Sequence, residues 1–144
     1  MPPKAKPQPE ALATRPTSIT AVVDCPGALA ARSLSGNLYL YDTKKADGSA
    51  GFGTGELRTR VKKGDQLLWN VIALECETYV SIDGIVIDPQ VCVPEKKVYP
   101  GTDISYWFAT VQKDVQEAVH YEIKFRLGSL TTPIVTTSSP ALVR

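Results

Sequence analysis

Residues 55–87 read GELRTRVKKGDQLLWNVIALECETYVSIDGIVI, and this stretch decides the fold. In its first part Leu57, Thr59 and Val61 alternate with charged residues. Side chains on a strand point alternately to opposite faces, so this pattern predicts a strand with one buried and one charged face.

The same stretch then turns and continues as two further strands. Gly64, between Lys63 and Asp65, is free to take the positive φ of a tight turn. Residues 66–72 are apolar on both faces, which is typical of a central strand covered on two sides. Residues 79–87 form the third strand. We predict that the three strands pair in sequence as a meander.

Length and composition indicate one ordinary domain. The chain has 144 residues, 43% hydrophobic and 22% charged, so neither a disordered nor a membrane class is indicated. The net charge is +1, of which residues 1–16 contribute +2, leaving the rest near −1. A nearly neutral body argues against nucleic-acid binding, which needs a basic face.

Three cysteines, Cys25, Cys76 and Cys92, occur without a CxxC pair. This number predicts neither a disulfide framework nor a zinc site and favours buried thiols in a reducing compartment. The sequence has no apolar run of 18 residues and no apolar core of a secretory signal near its first residue, so we expect no membrane partner and a cytoplasmic location.

Residues 1–16 contain five prolines and few apolar side chains. Such a segment cannot bury enough apolar surface to fold alone, so it is expected to be a disordered tail in an isolated monomer. The alternative is an extended arm that a neighbouring subunit orders. Residues 17–144 are expected to form a single domain.

Further short strands are predicted in that domain. They lie at residues 18–24, 37–42, 104–112, 119–127 and 131–137, separated by turns that include Pro100-Gly101. Residues 104–112 and 119–127 are predicted to form a long hairpin. About seven or eight strands without helical periodicity predict an all-β fold, an antiparallel β-sandwich of jelly-roll or immunoglobulin-like order.

The alternation also predicts a shared core between two sheets. It comprises Leu57, Val61, Leu67, Trp69, Val71, Val80, Ile82, Phe108, Tyr121, Ile123 and Phe125.

Residues suited to catalysis are few. The single histidine, His120, lies on the polar face of a strand, and no nucleophile motif accompanies it. Asp83, Asp88, Asp103 and Glu77 lack the spacing of a calcium loop. We therefore predict no catalytic residues, no metal site and no cofactor.

Aromatic residues are the better candidates for a functional surface. Five of them are predicted to lie at a ligand site or an interface: Tyr39, Tyr41, Tyr99, Tyr106 and Trp107. Aromatic side chains combine a large contact area with a polar edge, which suits stacking on sugars or binding protein. The alternative is that the strand carrying Trp107 is covered on both faces.

Residues 53–85 resemble the central region of the bacterial AidA/PixA inclusion-body proteins. The resemblance lies in the glycine-rich lead at 53–55, the Gly64-Asp65 turn, the apolar strand at 67–72 and the V-x-I-x-G-I run at 80–85. Tyr106-Trp107-Phe108-Ala109 followed by residues 121–125 is similar to that family's final aromatic hairpin. The resemblance implies an abundant, cytoplasmic, non-enzymatic β-sandwich that self-associates.

Two functions follow as hypotheses. The first is a self-associating structural protein that forms homo-oligomers through its N-terminal arm and its edge strands. The second is a binding module that uses the Tyr/Trp cluster on a glycan or protein ligand.

Overall fold

The computed structural model of the chain describes residues 15–75, 78–137 and 139–144. These residues are mostly β, with one α-helix (α1, Cys25–Ala31) and one 3-10 turn (Lys45–Asp47). The described strands are β1 Thr17–Val23, β2 Leu38–Asp42, β3 Arg58–Arg60, β4 Gln66–Ala73, β5 Val80–Val86, β6 Glu95–Val98, β7 Ser105–Thr110, β8 Val119–His120, β9 Glu122–Leu127, β10 Ile134–Val135 and β11 Ala141–Val143.

Five strands form the largest sheet, in the order β2-β1-β4-β7-β6. The apolar strand β4 is central, as the sequence predicts, but the predicted covering of both its faces is wrong, because its second face includes the exposed Ile72. Strand β4 pairs in parallel with β1 and antiparallel with β7. The sheets are therefore not purely antiparallel, and the parallel pairing of β3 with β11 is a second exception to that prediction.

Two three-stranded sheets, β10-β9-β5 and β3-β11-β8, lie next to each other along one stretch of chain. Only Tyr121 separates β8 from β9. Strands β10 and β11 lie on the same side of β9 and β8. The Tyr121 N–H donates to the Pro140 carbonyl (3.0 Å), and the Thr136 N–H donates to the Ile123 carbonyl (3.1 Å). The two small sheets thus extend each other.

The inward side chains of the large and small sheets form one hydrophobic cluster. At its centre the indole of Trp69 from β4 meets the ring of Tyr121 edge-on, with centroids 5.8 Å apart. The Trp69 Nε1–H donates to Tyr121 Oη at 3.3 Å, which satisfies two polar atoms inside the core.

Most of the predicted core residues are buried, and Val71 and Val80 pack against the cluster while partly exposed. Phe108 is wrong. Its neighbour Ala109 is the buried one, so alternation turns Phe108 outward, where Lys97 Nζ lies 4.8 Å from its ring centroid.

The predicted meander is also wrong. β3, β4 and β5 exist close to their predicted bounds, and Gly64 in the first turn has φ of +93°. Each strand, however, pairs elsewhere: β3 with β11, β4 with β1 and β7, and β5 with β9. The turns carry the chain from one sheet to another instead of folding it back on the same sheet.

The predicted hairpin of residues 104–112 with 119–127 fails in the same way. β7 joins the large sheet between β4 and β6, whereas β8 and β9 belong to the small sheets. Residues 111–118 cross between the layers, and Val111 and Val115 are buried on the way. Buried apolar side chains in this connection anchor the crossing.

Candidate functional site

The large sheet has an outer face that points away from the core. Along β1, β2 and β4 the buried residues alternate with outward ones, and the register of β7 with β4 identifies the outward residues of β7. We call these outward residues the outer sheet face. Its members are Ser18, Thr20, Val22, Tyr39, Tyr41, Gln66, Leu68, Asn70, Ile72, Tyr106, Phe108 and Thr110. None of these side chains bears a carboxylate, an ammonium or a guanidinium group.

The small sheets have outer faces of the opposite character. Their outward side chains include Arg58, Arg60, Asp83, His120, Glu122, Lys124 and Arg126. Arg126 and Asp83 form an ion pair at 2.9 Å. This second surface is the polar exterior expected of a sheet with one face in water.

The five predicted aromatic residues do not form one cluster. Tyr99 and Tyr106 are brought together, with ring centroids 4.6 Å apart. Tyr39 and Tyr41 share the outer sheet face but lie on β2, three strands away from Tyr106. Trp107 lies on the inner side of β7, where its Nε1–H donates to the Ile82 carbonyl at 3.2 Å.

A cleft of about 220 Å³ opens where β4 and β7 separate. Trp69 and Trp107 form the last residue pair between β4 and β7, and residues of β5 line the opposite side of the cleft. Polar groups of Asn70, Ser81 and Asp103 line the cleft together with aromatic rings. The Asn70 Oδ1 is buried and has no hydrogen-bond partner among the residues the structure describes. A buried acceptor without a partner is uncommon and calls for an explanation.

Two of the residues considered for catalysis or metal binding contact nearby backbone groups. His120 Nδ1 lies 3.3 Å from the Ser139 carbonyl at an exposed position. The Asp88 carboxylate accepts from the Gln90 N–H at 2.9 Å and so stabilises a turn. Within residues 15–75, 78–137 and 139–144, no three acidic, histidine or cysteine side chains are grouped to hold a metal ion. Glu77 lies outside that range.

Cys25 and Cys92 are buried free thiols, while Cys76 lies outside the described residues. Burial raises the pKa of the Cys25 thiol, against a weaker opposing hydrogen bond from Thr78. Burial, aided by the Asp88 carboxylate, raises the pKa of Cys92 to about 11. Both thiols are therefore protonated at neutral pH and poor nucleophiles.

Loop 49–54 covers the edge strand of two different sheets. Ala50 exchanges both backbone hydrogen bonds with Arg58 of β3 (2.8 and 3.0 Å). Leu40 of β2 donates to the Thr54 carbonyl at 3.1 Å and accepts from the Gly53 N–H at 2.8 Å. Backbone groups that would otherwise be open for pairing with another chain are thus occupied at β2 and β3.

Residues 15–132 match the model of a family described as Domain of unknown function (DUF8788). The chain belongs to this family. The family description assigns no activity, and no curated protein sequence matches the chain.

The DUF8788 chain is similar to a solved structure, the inclusion body protein (PixA) from Burkholderia cenocepacia J2315. The identity is 16%, the TM-score is 0.72, and the match covers 94% of this chain and 99% of the other. The predicted PixA-type resemblance is confirmed at the level of the fold. Among the described residues, no helix has the length and apolar character needed to cross a bilayer.

Sequence reasoning missed the cleft and the charge contrast between the two outer faces. Asn70 gave no signal, because a single asparagine in an apolar strand looks the same whether its amide is satisfied or not. The contrast was partly visible in Leu68 and Ile72, whose apolar character was interpreted as burial on a second side.

Proposed function

We propose that this DUF8788 chain is a non-enzymatic structural protein that accumulates in the cytoplasm by binding copies of itself. The observation that carries the proposal is the fold shared over nearly the full length of both chains with a protein named as an inclusion body protein. Fold likeness alone does not transfer function, so the proposal also draws on surface chemistry suited to self-association.

The proposed architecture is a β-sandwich. One layer is the five-stranded sheet, and the other is the pair of small sheets joined through Tyr121. The single hydrophobic cluster and the Trp69–Tyr121 contact support this arrangement, because they place side chains of both layers in one core.

The edge strands have features that make them weaker candidates for the assembly contact than the sequence alone suggests. Loop 49–54 forms backbone hydrogen bonds with Leu40 of β2 and Arg58 of β3. β6 has Lys96 and Lys97 on the edge of the large sheet, and β5 contains a bulge between Ile82 and Gly84. Lysines and bulges are the features by which proteins prevent edge-to-edge pairing.

The N-terminal arm remains a proposed contact, and residues 1–14 lie outside the described part of the chain. Sedimentation velocity of the full chain against residues 17–144 tests both ideas. We expect the full chain to associate with rising concentration and the shortened chain to associate more weakly. A full chain that stays monomeric at every concentration contradicts self-association, and equal association of the two proteins contradicts a role for the arm.

A second candidate function is a glycan-binding module, and the cleft lined by Asn70, Ser81 and Asp103 favours it, because the polar groups of such side chains can hydrogen-bond sugar hydroxyls. Tyr106 and Trp107 line the same cleft and offer aromatic surface beside it.

The indole N–H signal of Trp107 in an NMR titration with glucose, galactose and mannose tests this candidate. A site with a Kd of ~1 mM would be mostly filled at ~10 mM sugar, so the signal should shift there. Asn70→Leu should abolish the shift. Thr110→Leu, on β7 but on the same face of the sheet, should leave the shift unchanged. No shift with any sugar, or a shift retained in Asn70→Leu, contradicts this function.

A further inference from the structure

We propose that the outer sheet face is the surface through which two copies of this chain bind each other. The inference rests on the proposed self-association and names the surface that performs it. It places the contact on the face of the large sheet and not on its edges.

The outer sheet face is neutral and largely apolar. Seven of its twelve side chains are aliphatic or aromatic, and the others are neutral. Ile72 is 55% exposed near the end of β4, beyond its last pair with β7, and Tyr41 is 44% exposed on β2. An apolar sheet face in water is the exception for a two-layer protein, and large exposed apolar patches mark interaction sites.

A second copy of the chain is the partner that this surface fits. The twelve side chains of the outer sheet face are neutral, so two copies related by a twofold axis can stack them without opposing like charges, and Lys97 lies over Phe108 at the rim. The outward charges of the large sheet lie on its edge strand β6, where Glu95 and Lys97 have opposite signs. The charged exterior of the small sheets lacks this self-complementarity.

The outer sheet face is small. Four strands about 4.8 Å apart and six residues at about 3.3 Å each make a face of roughly 19 Å by 20 Å, so two stacked copies would bury roughly 800 Å² in total, the size of a weak, transient contact. Tyr99, stacked on Tyr106, and Leu74 extend the apolar surface at the rim. The expected product is a reversible dimer.

A pair of matched substitutions in the full chain tests the surface. Ile72→Lys places a charge on the outer sheet face, and Val86→Lys places the same charge on the exterior of β5, where Val86 is 51% exposed. Because both side chains are exposed, neither change should alter folding. We expect Ile72→Lys to weaken association at least about tenfold in sedimentation equilibrium, since two lysines would face each other in an apolar contact. Val86→Lys should leave association unchanged.

Tyr41→Lys is the second variant on the same face, and a circular dichroism melt of each protein checks its fold. Association weakened by both face variants and not by Val86→Lys supports the proposal. A wild-type chain that associates while the face variants associate equally well shows that another surface is used, and self-association stands. A wild-type chain that is monomeric throughout overturns the surface and the proposed function together.

Discussion

The contact between Trp69 and Tyr121 joins the two layers through a single buried hydrogen bond. Burial, only partly offset by that bond, raises the pKa of Tyr121 well above its ordinary value, so the phenol stays neutral and keeps its hydroxyl dipole against the indole. Trp69 was predictable as a core residue from alternation. Its partner was not, because Tyr121 lies fifty-two residues away in another sheet.

Tyr121→Phe should destabilise the fold by about 1–3 kcal/mol, because the buried indole N–H loses its acceptor. Trp69→Ala should cost about 3–5 kcal/mol, since it removes a fully buried aromatic side chain. Urea unfolding measures both free energies. Tyr79→Phe is the control, because Tyr79 is 68% exposed. If Tyr121→Phe unfolds at the same urea concentration as wild type, the hydrogen bond does not contribute to stability.

At the scale of elements, loop 49–54 is the one that protects both edges. Gly51 within it has φ of +82°, and a Cβ there would lie 2.6 Å from the Glu56 carbonyl oxygen. The backbone around Gly51 has therefore no space for any side chain. Gly64 has a similar φ of +93° but open space around it.

Gly51→Ala should lower the free energy of unfolding by more than Gly64→Ala does. Gly64→Ala is the control, because it adds only the cost of an alanine at positive φ, about 1 kcal/mol. The clash should also displace the loop, so amide hydrogen exchange at Leu40 and Arg58 should become faster in Gly51→Ala alone. Equal melting temperatures and equal exchange in the two variants would show that the loop accommodates the methyl group.

The elements themselves were largely predictable from sequence, but their partners were not. Alternation predicts β2, β3, β5 and β9, because one apolar face per strand leaves a period of two, whereas β4 is predicted from apolar residues on both faces. Pairing depends on backbone groups that every strand has in common, so β3 and β4 were placed side by side although they lie in different sheets. β6 was missed because all four of its side chains are exposed and give no alternation.

At the scale of the whole molecule, the two outer faces differ in charge, and this difference predicts the response to salt. If the outer sheet face joins two copies, association should strengthen with sodium sulfate, which favours apolar burial. An interface formed by the charged small sheets would weaken instead, because salt screens exposed charges. Sedimentation equilibrium at rising sulfate concentrations distinguishes the two interfaces. Association that weakens with sulfate would contradict an apolar contact.

The strand β11 lies between β3 and β8 and holds them in one sheet, with Ala141 and Leu142 fully buried. During translation, β3 leaves the ribosome some eighty residues before this strand is made. Until residues 141–143 emerge, the nascent chain has an open slot between two finished strands, shaped for a short Ala-Leu-Val segment. Residues 141–143 of a second copy have the same sequence and fit this slot, so we expect exchange of β11 between copies to give intertwined chains.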